Sequence, residues 1–254
     1  MILDTVSRRQ VLGAFAAVAL TSPERIQAAE NNKVPLIAKR VEKAFRAPGK
    51  KPNALQFVED GLWILDEVDP NKVHKVHPED GSVVTELQTE SITGSGLTYG
   101  NGVLWIASSG ALKTLKVDPR TGKTIWSWVT PGAGPLKWAP QRVSGGAGMV
   151  WVDGKYWMAS MPSMKILLIE PETCQVLRSI PAPGNRPHDL AWDNGYLWCS
   201  ETDERAIYKL DPKDGRQVAR IEVSKQDPEP HGLDIRDGVL WYSDASSGWV
   251  CRLL

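Results

Sequence analysis

The sequence predicts an all-β fold: a five-bladed β-propeller of four-stranded blades, the last blade closed by an N-terminal strand. Three observations carry this. A polar-Gly turn followed within a few residues by Trp recurs five times, at Gly61, Gly102, Gly154, Gly195 and Gly238, with gaps of 41, 52, 41 and 43 residues, a period typical of propeller blades. Between these turns the chain reads as short alternating or β-branched runs bounded by Asp-Gly and Asn-Gly, with no sustained helical period. The last unit ends at "WVCRLL", after its third strand, while "VEKAFR" near the other end reads like an outer strand in search of a sheet.

Residues 1–29 stand apart from the repeats. Arg8 and Arg9 precede an apolar run ending at Leu20, and a small-residue zone follows at Ala28 and Ala29. The segment resembles a bacterial twin-arginine export signal, with Val11 where Phe is more usual. The apolar run is short for a bilayer span. The resemblance implies a periplasmic or secreted protein with no membrane span after cleavage, and one β-propeller domain over 30–254.

Each unit then divides into four strands. In the fourth, "HDLAW" is innermost, "NG" turns it, "YLWCS" returns, "AIYKLDP" is third and "RQVARIEV" outermost. The stretches "KVHPEDGSVVTEL" and "LKVDPRTGKTIWSWV" repeat the third-turn-fourth pattern. His77 takes the place of the Asp in that turn, and His74 and His77 are expected to be structural. "VEKAFRAPGKKPNAL" parallels "VLRSIPAPGNRPHDL", the outer strand and crossover that lead into the fourth unit. Val41–Arg46 is therefore expected to pair with Val250–Leu254, removing an open edge. The five recurring Trp residues (Trp63, Trp105, Trp157, Trp198 and Trp241) are expected to pack between blades. Cys174, Cys199 and Cys251 make no metal-ligand spacing. They are expected to be free, buried thiols, with a Cys199–Cys251 bridge as the open alternative.

Formal net charge is zero, and no Lys/Arg cluster offers a nucleic-acid surface. The chemistry-bearing residues lie elsewhere. Strands alternate in direction, so the start of each innermost strand and the end of the next share one end of the central channel. The first of these positions holds Asn53, Ser95, Ala147, His188 and His231; the second holds Asp66, Ser108, Ser160, Glu201 and Asp244. Polar groups from separate blades thus converge on one mouth, the natural pocket for a small-molecule or peptide ligand. The longer second gap reflects an insertion, "TPGAGPLKWAPQRVSGG", which carries Lys137, Trp138 and Arg142 to the same mouth. Long loops on rigid scaffolds often serve binding; a plain surface loop is the alternative. Glu229, Asp244 and Glu201 could offer oxygens to a divalent cation such as magnesium or calcium, and His231 and His188 could move a proton. A histidine here could equally bond the crossover backbone, since a duplicated blade copies residues without copying a function.

The units "PHGL…DG.LWYSD" and "PHDL…NGYLWCSE" resemble those of the virginiamycin B lyase (streptogramin lyase) family, with NHL-type and gluconolactonase-like propellers as wider relatives. That resemblance implies metal-dependent elimination opening an ester. His231 would transfer the proton, Glu229 and Asp244 would serve the metal, and His188 would line the site. Glu201 joins the metal candidates; Asn53, Asp66, Ser95, Trp138 and Arg142 are the substrate-binding candidates. Two departures matter: the family has seven blades, and Asp244 stands where a longer Glu is expected. No organic cofactor is expected. The alternatives are a non-catalytic ligand- or protein-binding propeller and, from a second resemblance, a propeller like the plant-type glutaminyl cyclases.

Overall fold

The computed structural model describes residues 34–254, and Pro35–Leu254 form one compact unit. The expected export signal lies outside the described residues. Among these no helix is long and apolar enough to cross a membrane.

Five four-stranded antiparallel sheets follow one another along the chain. Blade 1 comprises β2 (Pro52–Val58), β3 (Gly61–Asp66), β4 (Lys72–Val76) and β5 (Val83–Gln88). Blade 2 comprises β6 (Gly94–Gly100), β7 (Val103–Ser108), β8 (Lys113–Val117) and β9 (Thr124–Val129). Blade 3 comprises β12 (Met149–Val152), β13 (Lys155–Ser160), β14 (Lys165–Glu170) and β15 (Gln175–Pro181), and blade 4 β16 (Pro187–Asp193), β17 (Tyr196–Glu201), β18 (Ala206–Leu210) and β19 (Gln217–Glu222). Blade 5 takes β20 (Leu233–Arg236), β21 (Val239–Ser243) and β22 (Trp249–Leu253), and its outermost strand is β1 (Val41–Arg46). The closing strand occupies the expected residues, with Val41 opposite Leu253 and Arg46 opposite Trp249. The innermost strands contact one another in the ring order β2, β6, β12, β16, β20 and back to β2, so the five sheets surround one axis.

Local sequence explains the turns. Asn101-Gly102, Asp153-Gly154, Asn194-Gly195 and Asp237-Gly238 all have both residues at positive φ, as a two-residue turn matched to strand twist requires. Asn and Asp tolerate that region better than other side chains, and Gly takes it freely. His77 does hold the third-turn-fourth position: its carbonyl accepts from Gly81 N–H, just as Asp118 accepts from Gly122 and Asp211 from Gly215. His74 is buried, with Nε2 3.1 Å from a Glu86 oxygen.

The core is not one mass but five wedges between blades. Trp63 packs with Leu97 and Leu104 of blade 2, Trp157 with Leu190 and Leu197 of blade 4, and Trp241 with Leu55 and Leu62 of blade 1. Trp105 and Trp198 fill the remaining two gaps. Four of the five rings also face a cation from the neighbouring strand: Lys75 over Trp63, Lys116 over Trp105, Lys209 over Trp198 and Arg252 over Trp241. Each is the Trp's direct cross-strand partner, and at Trp157 that partner is Leu168. All three cysteines are free and buried.

The insertion between blades 2 and 3 is more ordered than a loop. It forms a hairpin of β10 (Gly134–Leu136) and β11 (Ala139–Ser144), with Leu136 and Ser144 buried beneath it. Backbone bonds from Thr130 N to Leu112 O and from Gly145 N to Ser109 O pin its two ends to blade 2.

Candidate functional site

The mouth is assembled by the start of each innermost strand. In blades 1, 2 and 4 the pairing with the second strand slips at this point, between Pro52 and Ala54, between Gly94 and Gly96, and between Pro187 and Leu190. Such bulges re-aim side chains, and the residues within the slips are Asn53, Ser95, His188 and Asp189. A cavity of about 380 Å³ results, lined by Asn53, Ser95 and His188 from three blades, by Trp138 and Arg142 of the insertion hairpin, and by Arg186 of the crossover into blade 4. Five of the expected site residues thus meet in one place.

The other five do not line that cavity. Asp66 accepts from the Lys50 and Lys51 amides, at 2.9 and 2.6 Å. Glu201 accepts from the Arg186 and Glu204 amides, each at 2.7 Å. Asp244 accepts from Ser246 N and the Ser247 hydroxyl, at 2.7 and 2.6 Å. Ser108 and Ser160 do related work, bonding Ile92 and Gly132 of the crossovers. Position two is therefore where each blade ties down the chain near its mouth, and that task occupies two expected metal ligands, Glu201 and Asp244, and one expected substrate-binding residue, Asp66. Burial pushes the Glu201 carboxyl up, against the pull of the two amides. Burial also acts on Asp244, but the Ser247 hydroxyl and nearby amides outweigh it and hold that carboxyl low. Glu229 pairs with Arg205 at 3.3 Å and sits 3.7 Å from His231 Nε2. Among the described residues no three His, Cys, Asp or Glu side chains converge in a way that could hold a metal ion. With their oxygens committed to amides, a hydroxyl and a guanidinium, Glu201, Asp244 and Glu229 do not fit a resident divalent cation.

The two mouth histidines do meet. Their ring centroids are 4.9 Å apart, edge to face at 76°. Both are nearly enclosed, with 5% and 7% of the surface of His188 and His231 exposed. Burial drives the His188 imidazole well below its ordinary value of 6.5, helped by His231 and Arg186. Burial lowers His231 as well, although Glu229 and Asp244 pull it back. Both shifts favour the neutral rings. His188 faces the cavity; His231 stands behind it, with Nδ1 3.4 Å from the Glu229 carbonyl. His188 Nδ1 is enclosed and has no partner, which leaves Nε2 as the nitrogen able to serve a ligand.

Two further features lie outside the expected site residues. Below His188, Asp189 is fully buried, and its Oδ2 accepts from Leu233 N at 2.8 Å and Leu55 N at 3.4 Å. Its Oδ1 accepts from Leu190 N at 2.9 Å. One carboxylate thereby gathers the strands that carry His188, His231 and Asn53. Burial pushes this carboxyl well up, opposed by the same three amides. The equivalent slots hold Ala54, Gly96, Gly148 and Gly232, and a Cβ on Gly148 would lie 2.0 Å from Asp189 Oδ1. Lower down, Asp234 accepts from Phe57 N and Gln56 Nε2, and Gln56 accepts from Thr98. Asp189 thus links blade 4 to the non-adjacent blade 1, whereas Asp234 and Gln56 join adjacent blades, 5 to 1 and 1 to 2. The second feature is Ser200, which accepts from Asp189 N at 2.9 Å and donates to the His231 carbonyl at 2.8 Å. It clasps the two histidine-bearing strands, as Ser243 clasps blade 5 to blade 1 through the Pro52 carbonyl. The repeated Ser before each terminal acid, in "CSE" and "YSD", was the available signal for these clasps.

No family model matches the sequence, and no curated protein matches it. Among solved structures the chain is similar to a glutaminyl cyclase from Myxococcus xanthus, with a TM-score of 0.71 and 11% identity over 87% of this chain and 98% of that one. It is also similar to a streptogramin B lyase, with a TM-score of 0.52 and 17% identity over 85% of this chain and 97% of that one. A virginiamycin B lyase from Staphylococcus aureus aligns at a TM-score of 0.48 and 16% identity over 80% of this chain and 65% of that one. At these identities the likeness establishes the propeller fold and nothing finer.

Proposed function

We propose that this chain is an enzyme of the lyase or lactone/ester-opening type, with His188 as its proton-transfer residue at the mouth cavity. The single observation that carries the reading is the pair of buried imidazoles 4.9 Å apart. A neutral imidazole accepts a proton readily. Once charged, His188 would stand beside Arg186 and His231 in a site that disfavours positive charge, so it would release the proton quickly. In an elimination, His188 takes a proton from the carbon next to the one bearing the ester oxygen. That C–H pair forms the new C=C bond, the C–O bond breaks, and a carboxylate leaves. Arg142, which lines the cavity and pairs with no acid among the described residues, would receive that carboxylate. His231 acts through His188, as a neighbour that keeps its affinity for protons low.

The likeness to a streptogramin B lyase and a glutaminyl cyclase suggests the substrates to try first: cyclic esters, and peptides with N-terminal glutamine. The test is turnover of a lactone, ester and glutaminyl-peptide panel by the wild type, His188→Gln and Trp138→Ala. Loss of at least a hundredfold in kcat for His188→Gln is expected, with an acid limb in the wild-type pH profile below 6.5, because the His188 shift is downward. Equal kcat in His188→Gln and wild type would overturn the reading. A second reading, a ligand-binding propeller, is favoured by the insertion hairpin with its exposed Trp138. It predicts binding without turnover, lost in Trp138→Ala and kept in His188→Gln.

A further inference from the structure

A second cleft, sharing no lining residue with the mouth cavity, lies on the outer rim where blade 2 meets blade 3. It measures about 510 Å³ and is lined by Lys116, Ile125, Trp126, Trp128 and Glu172. Outer strands of a propeller need polar faces, because their edges meet solvent. β9 departs from that rule: in "TIWSWV", Ile125, Trp126 and Val129 are all exposed, and Trp126 presents 62% of its surface. Its ring is not isolated. Trp126 lies against Trp128 at 6.4 Å, Trp128 stacks on the buried Trp105 at 5.9 Å, and Trp105 stacks on Trp151 at 6.0 Å. The surface indole is thus backed by a file of rings running into the core, so little side-chain entropy remains to be lost when something covers it.

The rim of the cleft is polar and electrically neutral. Lys116 Nζ meets both Glu172 oxygens, at 2.8 and 2.9 Å, in a pair that bridges blade 2 to blade 3. A charged ligand finds no unmatched charge here. An apolar helix would strip water from an ion pair, a cost its packing would have to offset. A ligand with one apolar face and a hydroxyl-bearing edge suits both parts. A pyranose ring has that form: its axial C–H groups stack on the electron-rich indole face, while neighbouring hydroxyls donate to Glu172 and accept from Lys116. We propose that this cleft is a carbohydrate-binding site for a neutral glycan, with Trp126 as the stacking platform and the Lys116–Glu172 pair as the hydroxyl reader.

The test uses the full chain on an array of neutral and charged glycans, followed by calorimetry with the soluble neutral oligosaccharide that binds best. The expected result is saturable binding to a neutral oligosaccharide that quenches tryptophan fluorescence. Trp126→Ala should weaken it at least tenfold and Glu172→Gln several-fold, with His188→Gln leaving it unchanged. Trp126 is exposed, so its replacement by Ala is expected to leave the melting temperature intact, and that is measured alongside. The proposal is overturned if no neutral glycan on the array binds, if binding survives Trp126→Ala, or if His188→Gln abolishes it.

Discussion

The residue that organises the mouth is Asp189 rather than either histidine. Three backbone amides from blades 1, 4 and 5 end on its two oxygens, in a space where neighbouring blades contribute only Ala or Gly. A buried amide that loses its acceptor costs roughly 1–3 kcal/mol. In Asp189→Asn one acceptor oxygen becomes a donor, so at least one amide is orphaned. We expect Asp189→Asn to destabilise the fold by about 2 kcal/mol in urea unfolding, with a larger loss in Asp189→Ala. A change within 0.5 kcal/mol for Asn would show that the three bonds contribute little. The sequence marks this residue faintly, as the lone acid in a slot otherwise occupied by small residues. The histidines were legible through repetition, but which of them faces the ligand was not: the slip in pairing at His188 turns it toward the cavity.

At the scale of elements, each blade is a sheet whose second strand carries a Trp directed at the next blade, and in four of the five the third strand sets a cation over it. The Trp is the wedge; the cation covers its outer face and keeps its own charge in water. Trp105 is the most demanding of the five, fully buried and in contact with Trp128, Trp151 and Tyr156. Removing it leaves a cavity lined by rings that cannot collapse into it. Trp105→Ala is expected to cost about 4 kcal/mol, read from the urea midpoint, whereas Lys116→Ala, which removes a partly exposed cation, should cost under about 1 kcal/mol. Similar losses in the two variants would contradict the wedge role. The insertion hairpin shows what pattern reading misses at this scale. Gly and Pro in "TPGAGPLKWAPQRVSGG" argued for an irregular loop, yet Leu136 finds a buried seat and two short strands pair around it.

For the whole molecule, the decisive contact is between β1 and β22, because among the described residues it alone joins an N-terminal strand to the last strand in one sheet. A ring of five wedges closed by six residues of strand has no alternative partner for the β22 edge. A chain starting at Pro35 keeps the compact unit and should melt cooperatively. A chain starting at Ala47 lacks the strand and is expected to lose at least 10 °C in melting temperature, or to associate through the exposed β22 edge. Sedimentation and calorimetry of the two chains check this, and equal melting temperatures with equal monomer content would refute it.

Period, turn chemistry and alternation are local properties, written residue by residue, and for that reason the sequence by itself determined the blade count, the strand order, the interblade Trp and the closing strand. What each mouth side chain touches is a property of five strands meeting at an axis, separated by up to 191 residues along the chain, as in the Ser243–Pro52 clasp. Only the tertiary structure could decide that Asp66, Glu201 and Asp244 hold backbone amides while Asn53, Ser95, His188, Trp138 and Arg142 share a cavity. The physical reason is competition for buried acceptors: a carboxylate near a turn is taken by the closest unsatisfied amide, and which amide is closest depends on the closed ring.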